Sequence, residues 1–343
     1  MKAARLHGYG AKLVVEDVPK PEVEPGQVLV HVDAAGFCHS DVHVIDGEIK
    51  ILPRLPVTLG HENAGTVAAV GEGVTAVREG DRVAVFGAWG CNRCRSCITG
   101  NEQLCTANPE WVGLSRWDGG YAEYLLVPRE HYLVPLAKLE PPIAASLTDA
   151  ALTPYRAVKK ARPFLAPDLK ALVIGVGGLG QYGIKLLRLF GGCEIIAVDV
   201  SDAKLRTAKA LGAAYTVSAR DPDVAKKILE LTRGAGVGAS FDFVGDEATL
   251  ALAIGTTATL GKVTQLGLAG GTARIKVLEN ARFEVLFETT LWGNVQELRE
   301  VISLAETAQL TPIAVESAPL ERINDVHDRV KRGDVEGRIV LTP

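Results

Sequence analysis

The chain contains 343 residues, a length that predicts about two domains, each large enough to bury a core of its own. Its hydrophobic fraction of 47% and charged fraction of 23% are typical of an ordinary soluble globular protein, and its net charge of -4 argues against a nucleic-acid partner. No apolar stretch approaches the roughly 20 residues that cross a bilayer, so we expect no membrane partner and a cytoplasmic location.

The first third of the chain alternates short β-like runs with turn signals. The runs fall at residues 12–16, 27–32, 65–70 and 81–85. Gly and Pro separate them, which indicates a compact, partly antiparallel β domain.

Four cysteines in this region form the pattern C-x2-C-x2-C-x7-C: Cys91, Cys94, Cys97 and Cys105. Zinc in a closed site takes four such ligands at the corners of a tetrahedron, and two-residue gaps let one loop present successive thiolates. Two disulfides are disfavoured because the chain opens without an apolar signal segment, and an iron–sulfur cluster is disfavoured because its usual spacings differ. We predict a structural zinc here, with no position left for a substrate.

After about residue 150 the pattern changes to short apolar strands that alternate with amphipathic helices. Strands are predicted at 171–174, 194–198, 239–243 and 262–266, with a helix through residue 190 and another at 201–211. This alternation is typical of a doubly wound parallel sheet with helices on both faces.

The first of these strands leads into a G-x-G-x-x-G sequence that opens a helix. It reads Gly175-Val176-Gly177-Gly178-Leu179-Gly180. Glycines permit a tight turn and a close approach of the backbone to a pyrophosphate, which binds at the helix N-terminus. Asp199 ends the next strand, where its carboxylate accepts ribose hydroxyls and repels a 2′-phosphate. The pattern therefore predicts NAD(H) as the cofactor in preference to NADP.

A second metal site is indicated by Cys38 together with the pair His61-Glu62. Zinc that does chemistry takes three protein ligands and leaves a fourth position for water or substrate. By itself, His61 would be read as an ordinary core histidine. The runs at residues 38–43 and 60–62, in a chain that also carries the cysteine quartet and the nucleotide motif, favour a metal ligand.

With these motifs the chain resembles the zinc-dependent alcohol dehydrogenases of the medium-chain dehydrogenase/reductase superfamily, over essentially its whole length to the closing run 337–341. The resemblance implies an α/β protein: a GroES-like β-rich catalytic domain with a structural-zinc lobe at 1–150, a Rossmann domain at 151–291, and a return to the catalytic domain at 292–343. It also implies two Zn²⁺ per chain, NAD(H), a small alcohol or carbonyl substrate, and a homotetramer or homodimer.

The resemblance also implies individual roles. Cys38 and His61 match catalytic-zinc ligands, Glu62 matches a transient ligand, and Asp41 matches the carboxylate that orients the zinc histidine. Ser40 and His43 match a proton relay. His39 and Arg338 match positions near the cofactor pyrophosphate, and Lys204 matches a side chain beside the adenosine ribose. Glu62 and His43 remain open to a second interpretation as ordinary surface polar residues.

At one position the chain departs from the commonest family pattern. Asp149 stands where most relatives have a third cysteine ligand. A carboxylate oxygen is an acceptable zinc ligand. The Cys-His-Asp set resembles the branch with bacterial secondary-alcohol dehydrogenases and carbonyl reductases, so we expect secondary or aryl-alkyl alcohols as substrates. The alternative is that Asp149 only caps a helix.

Pocket residues are harder to assign. Phe86, Trp89, Leu291 and Trp292 resemble pocket-lining positions in an apolar, partly aromatic cleft between the domains, although each aromatic ring also suits core packing. Trp111, Trp117 and Tyr121 are more ambiguous. Polyol, amino-alcohol or glutathione-adduct substrates are the main alternative, and a non-catalytic nucleotide- or zinc-binding protein is the remote one.

Overall fold

The computed structural model describes residues 1–276 and 279–343. These residues form two compact units. Unit 1 comprises Met1–Leu152, Trp292–Ala308 and Ala314–Pro343, and unit 2 comprises Thr153–Leu291 and Gln309–Ile313.

The strands, in chain order, are β1 Lys2–Leu6, β2 Val14–Asp17, β3 Val28–Gly36, β4 Val57–Thr58, β5 Glu62–Val70, β6 Arg82–Val85, β7 Ala88–Trp89, β8 Glu110–Trp111, β9 Tyr124–Val127, β10 Leu133–Pro135, β11 Lys170–Ile174, β12 Glu194–Asp199, β13 Tyr215–Ser218, β14 Val237–Asp242, β15 Thr257–Gln265, β16 Leu286–Thr289, β17 Val315–Pro319 and β18 Arg338–Thr342.

The α-helices are α1 His39–Ile45, α2 Arg95–Ile98, α3 Pro141–Ser146, α4 Leu152–Ala161, α5 Gly178–Phe190, α6 Asp202–Leu211, α7 Val224–Leu231, α8 Glu247–Thr256, α9 Val295–Glu306 and α10 Ile323–Arg332. A π-helical turn, Leu147–Ala151, joins α3 to α4. None of these helices, among the residues described, combines the length and the apolar character needed to cross a bilayer.

Unit 1 is built on a mixed sheet in the order β10-β6-β5-β3-β18-β17, with β9 also paired to β3. The predicted strands at 27–32, 65–70 and 81–85 overlap β3, β5 and β6, and the run at 12–16 overlaps β2. β3 and β5 are antiparallel and mostly buried, so they form the centre of the core of this unit. The expected β-rich domain is confirmed.

The register of this sheet brings distant segments of the chain together. Gly36, the last residue of β3, lies opposite Glu62 in β5 and opposite Val340 in β18. The residues that follow β3 and the residues that precede β5 therefore meet at one end of the sheet, beside the start of β18. A Cβ atom at Gly36 would lie 2.1 Å from Glu62 Oε2, so only glycine fits this crossing.

Unit 2 has a six-stranded, fully parallel sheet in the order β13-β12-β11-β14-β15-β16. The strand order reverses between β11 and β14, which makes the carboxyl ends of these two strands the switch point where such sheets bind ligands. The central strands β11, β12 and β14 are buried along nearly their whole length, as a sheet with helices on both sides requires. The doubly wound fold expected from the sequence is confirmed.

Candidate functional site

The four cysteines of the sequence motif come together in unit 1, and we call them the closed cluster. Their Sγ atoms are separated by 4.0 Å between Cys91 and Cys97, 3.5 Å between Cys94 and Cys97, and 3.8 Å between Cys94 and Cys105. Zn–S bonds of about 2.3 Å place the corners of a tetrahedron about 3.8 Å apart, so the observed spacing fits a zinc ion.

Backbone N–H groups surround the sulfurs of the closed cluster. Cys94 N lies 3.3 Å from Cys91 Sγ, and Asn108 N lies 3.4 Å from Cys105 Sγ. Backbone N–H groups at Cys97 and Thr106 lower the pKa of Cys94 to about 5, whereas burial and neighbouring thiols raise the pKa of Cys97 to about 12. Four sulfurs this close repel one another as thiolates unless a cation lies among them, which again fits zinc.

A second set of ligand atoms, from Cys38, His61, Glu62 and Asp149, lies within 4.8 Å of one another, and we call it the open cluster. All four residues are buried. His61 Nε2 lies 3.6 Å from Asp149 Oδ2, which in turn is 3.8 Å from Cys38 Sγ. Bonds of about 2.0–2.3 Å to one zinc ion require separations only slightly shorter than these.

Local structure fixes the first two members of the open cluster. Cys38 is the N-cap of α1, two residues after the end of β3, and His61 directly precedes β5. Gly60, with φ of +103°, lets the chain turn just before His61. Because β3 and β5 are paired at Gly36 and Glu62, both side chains lie at the same end of the sheet.

Asp149 occupies the middle of the π-helical turn Leu147–Ala151. Single π turns inside α-helices carry one extra residue and are frequent at functional sites. The preceding helix begins at Pro141, eight residues before Asp149, so its side chain is not an N-cap. The capping alternative is therefore wrong, while the ligand role remains a prediction that this geometry supports.

Asp41 faces His61 on the side away from the ligand atoms. Its Oδ1 lies within ion-pair distance of His61 Nδ1, at 3.3 Å, and neither atom forms a hydrogen bond with any other residue described. Burial by itself lowers the pKa of His61, but the Asp41 carboxylate, together with hydrogen bonds to Asp149 and Cys38, raises it well above its ordinary value. The surroundings favour positive charge at this ring, as a site for a divalent cation does.

Glu62 forms a buried, two-pronged ion pair with Arg338. Arg338 Nε donates to Glu62 Oε2 at 3.0 Å, and Nη2 contacts Oε1. Burial raises the pKa of Glu62 to about 7, and the guanidinium opposes that rise. The structure thus places both residues beside the open cluster and excludes the interpretation of Glu62 as a surface residue. The predicted contact of Arg338 with the cofactor pyrophosphate remains a prediction.

The residues predicted for the proton relay lie on α1. Ser40 Oγ is 3.6 Å from Cys38 Sγ. His43 Nδ1 is 2.5 Å from Glu48 Oε2, and its ring lies 5.0 Å from the ring of His39. One short helix therefore carries a hydroxyl beside the open cluster and two imidazoles beyond it, while their roles remain predictions.

Trp292 is the predicted pocket residue that the structure places beside the open cluster. Its ring meets the His61 ring edge-on, with centroids 5.4 Å apart. The centroid of the Trp111 ring lies 6.4 Å from that of Trp292. Its backbone φ of +48° is in the left-handed region, which costs a residue with a large side chain roughly 1–2 kcal/mol. Such strain is found mainly where the surrounding structure needs the side chain in one place.

The other predicted pocket residues are Phe86, Trp89 and Leu291. Phe86 and Trp89 are buried and stack on Tyr132, with ring centroids 6.2 and 5.9 Å apart. Trp89 Nε1 also donates to Phe86 O at 2.6 Å. Both rings are therefore buried in unit 1, which fits the packing alternative that the sequence left open, while their role in a pocket wall remains a prediction. Leu291 is the last residue of its segment of unit 2 and is partly buried, so its role remains a prediction.

Tyr121 is a residue near the open cluster whose role the sequence left ambiguous. Its hydroxyl donates to Asp41 Oδ2 at 2.8 Å. The local signal for this contact is the pair Gly119-Gly120, because a Cβ at Gly119 would lie 2.5 Å from Gly60 O. The two glycines let the chain press directly against the segment that carries His61.

In unit 2, the glycine-rich run Gly175–Gly180, which we call the dinucleotide turn, follows β11 as predicted. Gly175 has φ of +86°, and a Cβ at Gly180 would lie 1.9 Å from Gly175 O, so the helix can pack against the strand only with glycine there. A Cβ at Gly177 would meet nothing within 4 Å, which leaves the backbone accessible. Gly178 and Leu179 form the first turn of α5, whose N–H groups suit a pyrophosphate.

Asp199 ends β12 beside this turn. Its two oxygens accept backbone N–H groups from Val176 at 2.8 Å and from Ser201 at 2.9 Å. Ser201 caps α6, whose third residue is Lys204. A carboxylate accepts about four hydrogen bonds, so Asp199 retains capacity for ribose hydroxyls. The cofactor roles of both charged residues remain predictions.

A β-rich unit with two clusters of metal-ligand side chains, together with a parallel sheet that carries a dinucleotide turn, is the combination found in zinc-binding, nucleotide-dependent dehydrogenases. Residues 24–138 match the family model described as alcohol dehydrogenase GroES-like domain, and residues 178–307 match the one described as zinc-binding dehydrogenase. The chain belongs to the zinc-dependent alcohol dehydrogenases of the medium-chain dehydrogenase/reductase superfamily, and its cofactors are zinc and NAD(H).

Individual relatives match over the full length. A NAD-dependent alcohol dehydrogenase of Sulfurisphaera tokodaii is 38% identical, with 100% of each chain covered. The crystal structure of the alcohol dehydrogenase from Aeropyrum pernix superposes with a TM-score of 0.93 at 39% identity, again over 100% of both chains. The acetophenone reductase of Geotrichum candidum in complex with NAD superposes with a TM-score of 0.88 at 30% identity, over 100% of this chain and 97% of that one.

Replacing Asp149 tests the ligand assignment. Asp149→Ala leaves the open cluster without its proposed third ligand, so we expect purified enzyme to contain about one zinc per chain instead of two and turnover to collapse. Asp149→Cys should retain two zinc ions, since thiolate is also a zinc ligand. Zinc content is measured by atomic emission.

Thr148→Ala is the matched control, because it removes a buried hydrogen bond to Ala145 O from the same helical turn and no proposed ligand. It should retain both zinc ions. Full zinc content and near-normal turnover in Asp149→Ala would refute the ligand role.

Proposed function

We propose that this protein interconverts alcohols with ketones or aldehydes by NAD-dependent hydride transfer at the open cluster. The observation that carries the proposal is the buried convergence of a thiol, an imidazole and two carboxylates within 4.8 Å. A purely structural zinc needs only the closed cluster, so a second set of ligands in unit 1 calls for a different purpose. Membership of the alcohol dehydrogenase family gives that purpose.

In this proposal Cys38, His61 and Asp149 hold the catalytic zinc, while Cys91, Cys94, Cys97 and Cys105 hold the structural one. When bound, the catalytic zinc supplies Lewis acidity towards the oxygen of the alcohol or carbonyl group. Asp41 holds the tautomer of His61 that presents Nε2 to the cluster, since its Oδ1 faces Nδ1 at 3.3 Å. Arg338 offsets the negative charge of Glu62, and the Glu62 carboxylate lies beside the three proposed ligands.

Proton transfer is assigned to α1. Ser40, at 3.6 Å from Cys38 Sγ, lies at the end of the helix that adjoins the open cluster. His43 is one turn further along, and its ion pair with the exposed Glu48 leads towards solvent. We propose that the alcohol proton leaves by this route, with His43 as the group that exchanges it with water.

The proposed substrates are secondary or aryl-alkyl alcohols and the matching ketones. The support is the Trp292 ring beside His61, which offers an apolar aromatic surface, and the likeness to the acetophenone reductase. Polyols would need several hydrogen-bond partners at such a surface.

A substrate panel tests this proposal. Rates of NADH formation or use are measured for primary alcohols, secondary alcohols, aryl ketones, aldehydes and sugars or polyols. We expect the highest kcat/KM for secondary or aryl-alkyl substrates. A preference for sugars or polyols would reject the substrate class and keep the enzyme class, whereas no turnover with any member of the panel would reject both.

NAD is proposed in preference to NADP on the strength of Asp199. Loss of a hydrogen bond to a charged group costs ~1.5–3 kcal/mol, so Asp199→Gly should narrow the NAD/NADP ratio of kcat/KM by about 10–100-fold. KM for NAD should also rise, because Val176 N loses its partner. Asp202→Gly, at the start of α6, is the control and should leave the ratio unchanged. A wild-type enzyme that prefers NADP would contradict the role of Asp199.

We also propose a homodimer or homotetramer. β16 is an edge strand in the described part of the unit 2 sheet, and Phe283, Leu286 and Phe287 on or near it are at least 37% exposed. Light scattering should give two or four times the chain mass, and Phe287→Asp should lower it. Leu189→Asp, with the same 37% exposure on α5, is the control. A wild-type monomer at micromolar concentration would contradict the proposal.

A cytoplasmic location completes the proposal. The six cysteines all lie in the described part of the chain and are free of disulfides. Thiol clusters of this kind persist where the surroundings keep cysteine reduced.

A further inference from the structure

The phenol of Tyr121 is buried against the open cluster without belonging to its ligand set. The residue has no exposed surface, and its ring stacks on Phe37 with centroids 5.5 Å apart and planes inclined by 9°. Its hydroxyl lies 2.8 Å from Asp41 Oδ2 and 3.2 Å from Gly36 O. A hydroxyl has one proton to donate, and the shorter contact to the carboxylate is the stronger of the two.

The backbone around Tyr121 holds the segment that carries His61. Tyr121 N donates to Leu59 O at 3.0 Å, and Gly120 N donates to Gly60 O at 2.9 Å. A Cβ at Gly60 would lie 2.7 Å from Tyr121 Cδ1, so the ring lies directly against the residue before His61. Tyr121 therefore contacts both the backbone segment that precedes His61 and the Asp41 carboxylate that faces the His61 ring.

The hydrogen bonds of Asp41 show what the hydroxyl does. Asp41 Oδ2 accepts the Tyr121 hydroxyl and the backbone N–H of Cys38, the latter at 3.0 Å. Two donors on one oxygen restrict the rotation of the carboxylate. The other oxygen, Oδ1, is thereby aimed at His61 Nδ1, 3.3 Å away.

We propose that Tyr121 is a positioning residue of the catalytic metal site, which fixes Asp41 and through it the orientation of His61. The proposal rests on the proposed function of the open cluster. Partners at one remove from a metal ligand typically change metal affinity about 10–100-fold when they are removed. Burial, followed by the nearby Asp41 carboxylate, raises the pKa of Tyr121 well above its usual value, which favours the protonated phenol that donates to Asp41.

The test compares Tyr121→Phe with Tyr132→Phe in the zinc-loaded enzyme without substrate. Tyr132 is the matched control because it is equally buried, stacks on aromatic rings, and bonds through its hydroxyl to Gly90 N and O at 3.0 Å. Zinc release to a colorimetric chelator and thermal unfolding are measured for both variants. Tyr121→Phe should release the more labile zinc about 10–100-fold faster than wild type, and Tyr132→Phe should not.

A double-mutant cycle separates positioning from packing. In an Asp41→Asn background, Tyr121→Phe should add little to the release rate, because both changes break the same link. Cobalt-substituted Tyr121→Phe should show an altered absorption spectrum, which a purely structural role does not require. If Tyr121→Phe fails to fold, 3-fluorotyrosine at position 121 keeps the shape with a more acidic hydroxyl and should still shift the cobalt spectrum.

The outcomes distinguish a failure of the Tyr121 role from a failure of the proposed function. Any one of four results would overturn the role of Tyr121 and leave the proposed function standing. These are a folded Tyr121→Phe variant that retains zinc like the wild type, additive effects in the double-mutant cycle, equally fast zinc release from Tyr132→Phe, and an unchanged cobalt spectrum with 3-fluorotyrosine. A wild-type enzyme without a second, more labile zinc would overturn the proposed function and this inference together.

Discussion

The burial of three acidic groups around the open cluster is an electrostatic constraint that the packing of unit 1 has to satisfy. Asp41 and Glu62 have no exposed surface, and Asp149 is 8% exposed. A buried carboxylate is costly unless a cation or several donors compensate it. Arg338 compensates Glu62, and Tyr121 together with backbone N–H compensates Asp41. The proposed catalytic zinc would add a cation among the ligand atoms, so we expect metal binding to be coupled to the local fold.

Sheet register explains how residues so far apart in the chain reach one place. Phe37 N donates to Ile339 O at 3.0 Å, which continues the pairing of β3 with β18 and brings Arg338 beside the segment after β3. The pairing of Gly36 with Glu62 does the same for the segment before β5. A one-residue slip in either pairing would turn the ligands to the other face of the sheet. Gly36 permits the close approach of β3 and Glu62 because it has no side chain.

The sequence predicted those features that short-range patterns encode. The spacing of Cys91 and its three partners and the strand-turn-helix context of the dinucleotide turn need only a few neighbouring residues, so both could be found without a fold. The role of Asp149 came from family resemblance, because nothing local to it predicts a π turn. The hydrogen bond from Tyr121 to Asp41 joins residues 80 positions apart, and the ion pair of Arg338 with Glu62 joins residues 276 positions apart. Only the register of the sheet brings these pairs together, so local sequence patterns could not predict them.

We propose that the open cluster holds a catalytic zinc through Cys38, His61 and Asp149. Anomalous diffraction at the zinc edge, from crystals of the zinc-loaded enzyme, tests it most directly. We expect two peaks per chain, one among the four sulfurs of the closed cluster and one at about 2.0–2.3 Å from Cys38 Sγ, His61 Nε2 and an Asp149 oxygen. A single peak at the closed cluster, or a second peak without Asp149 among its ligands, would contradict it.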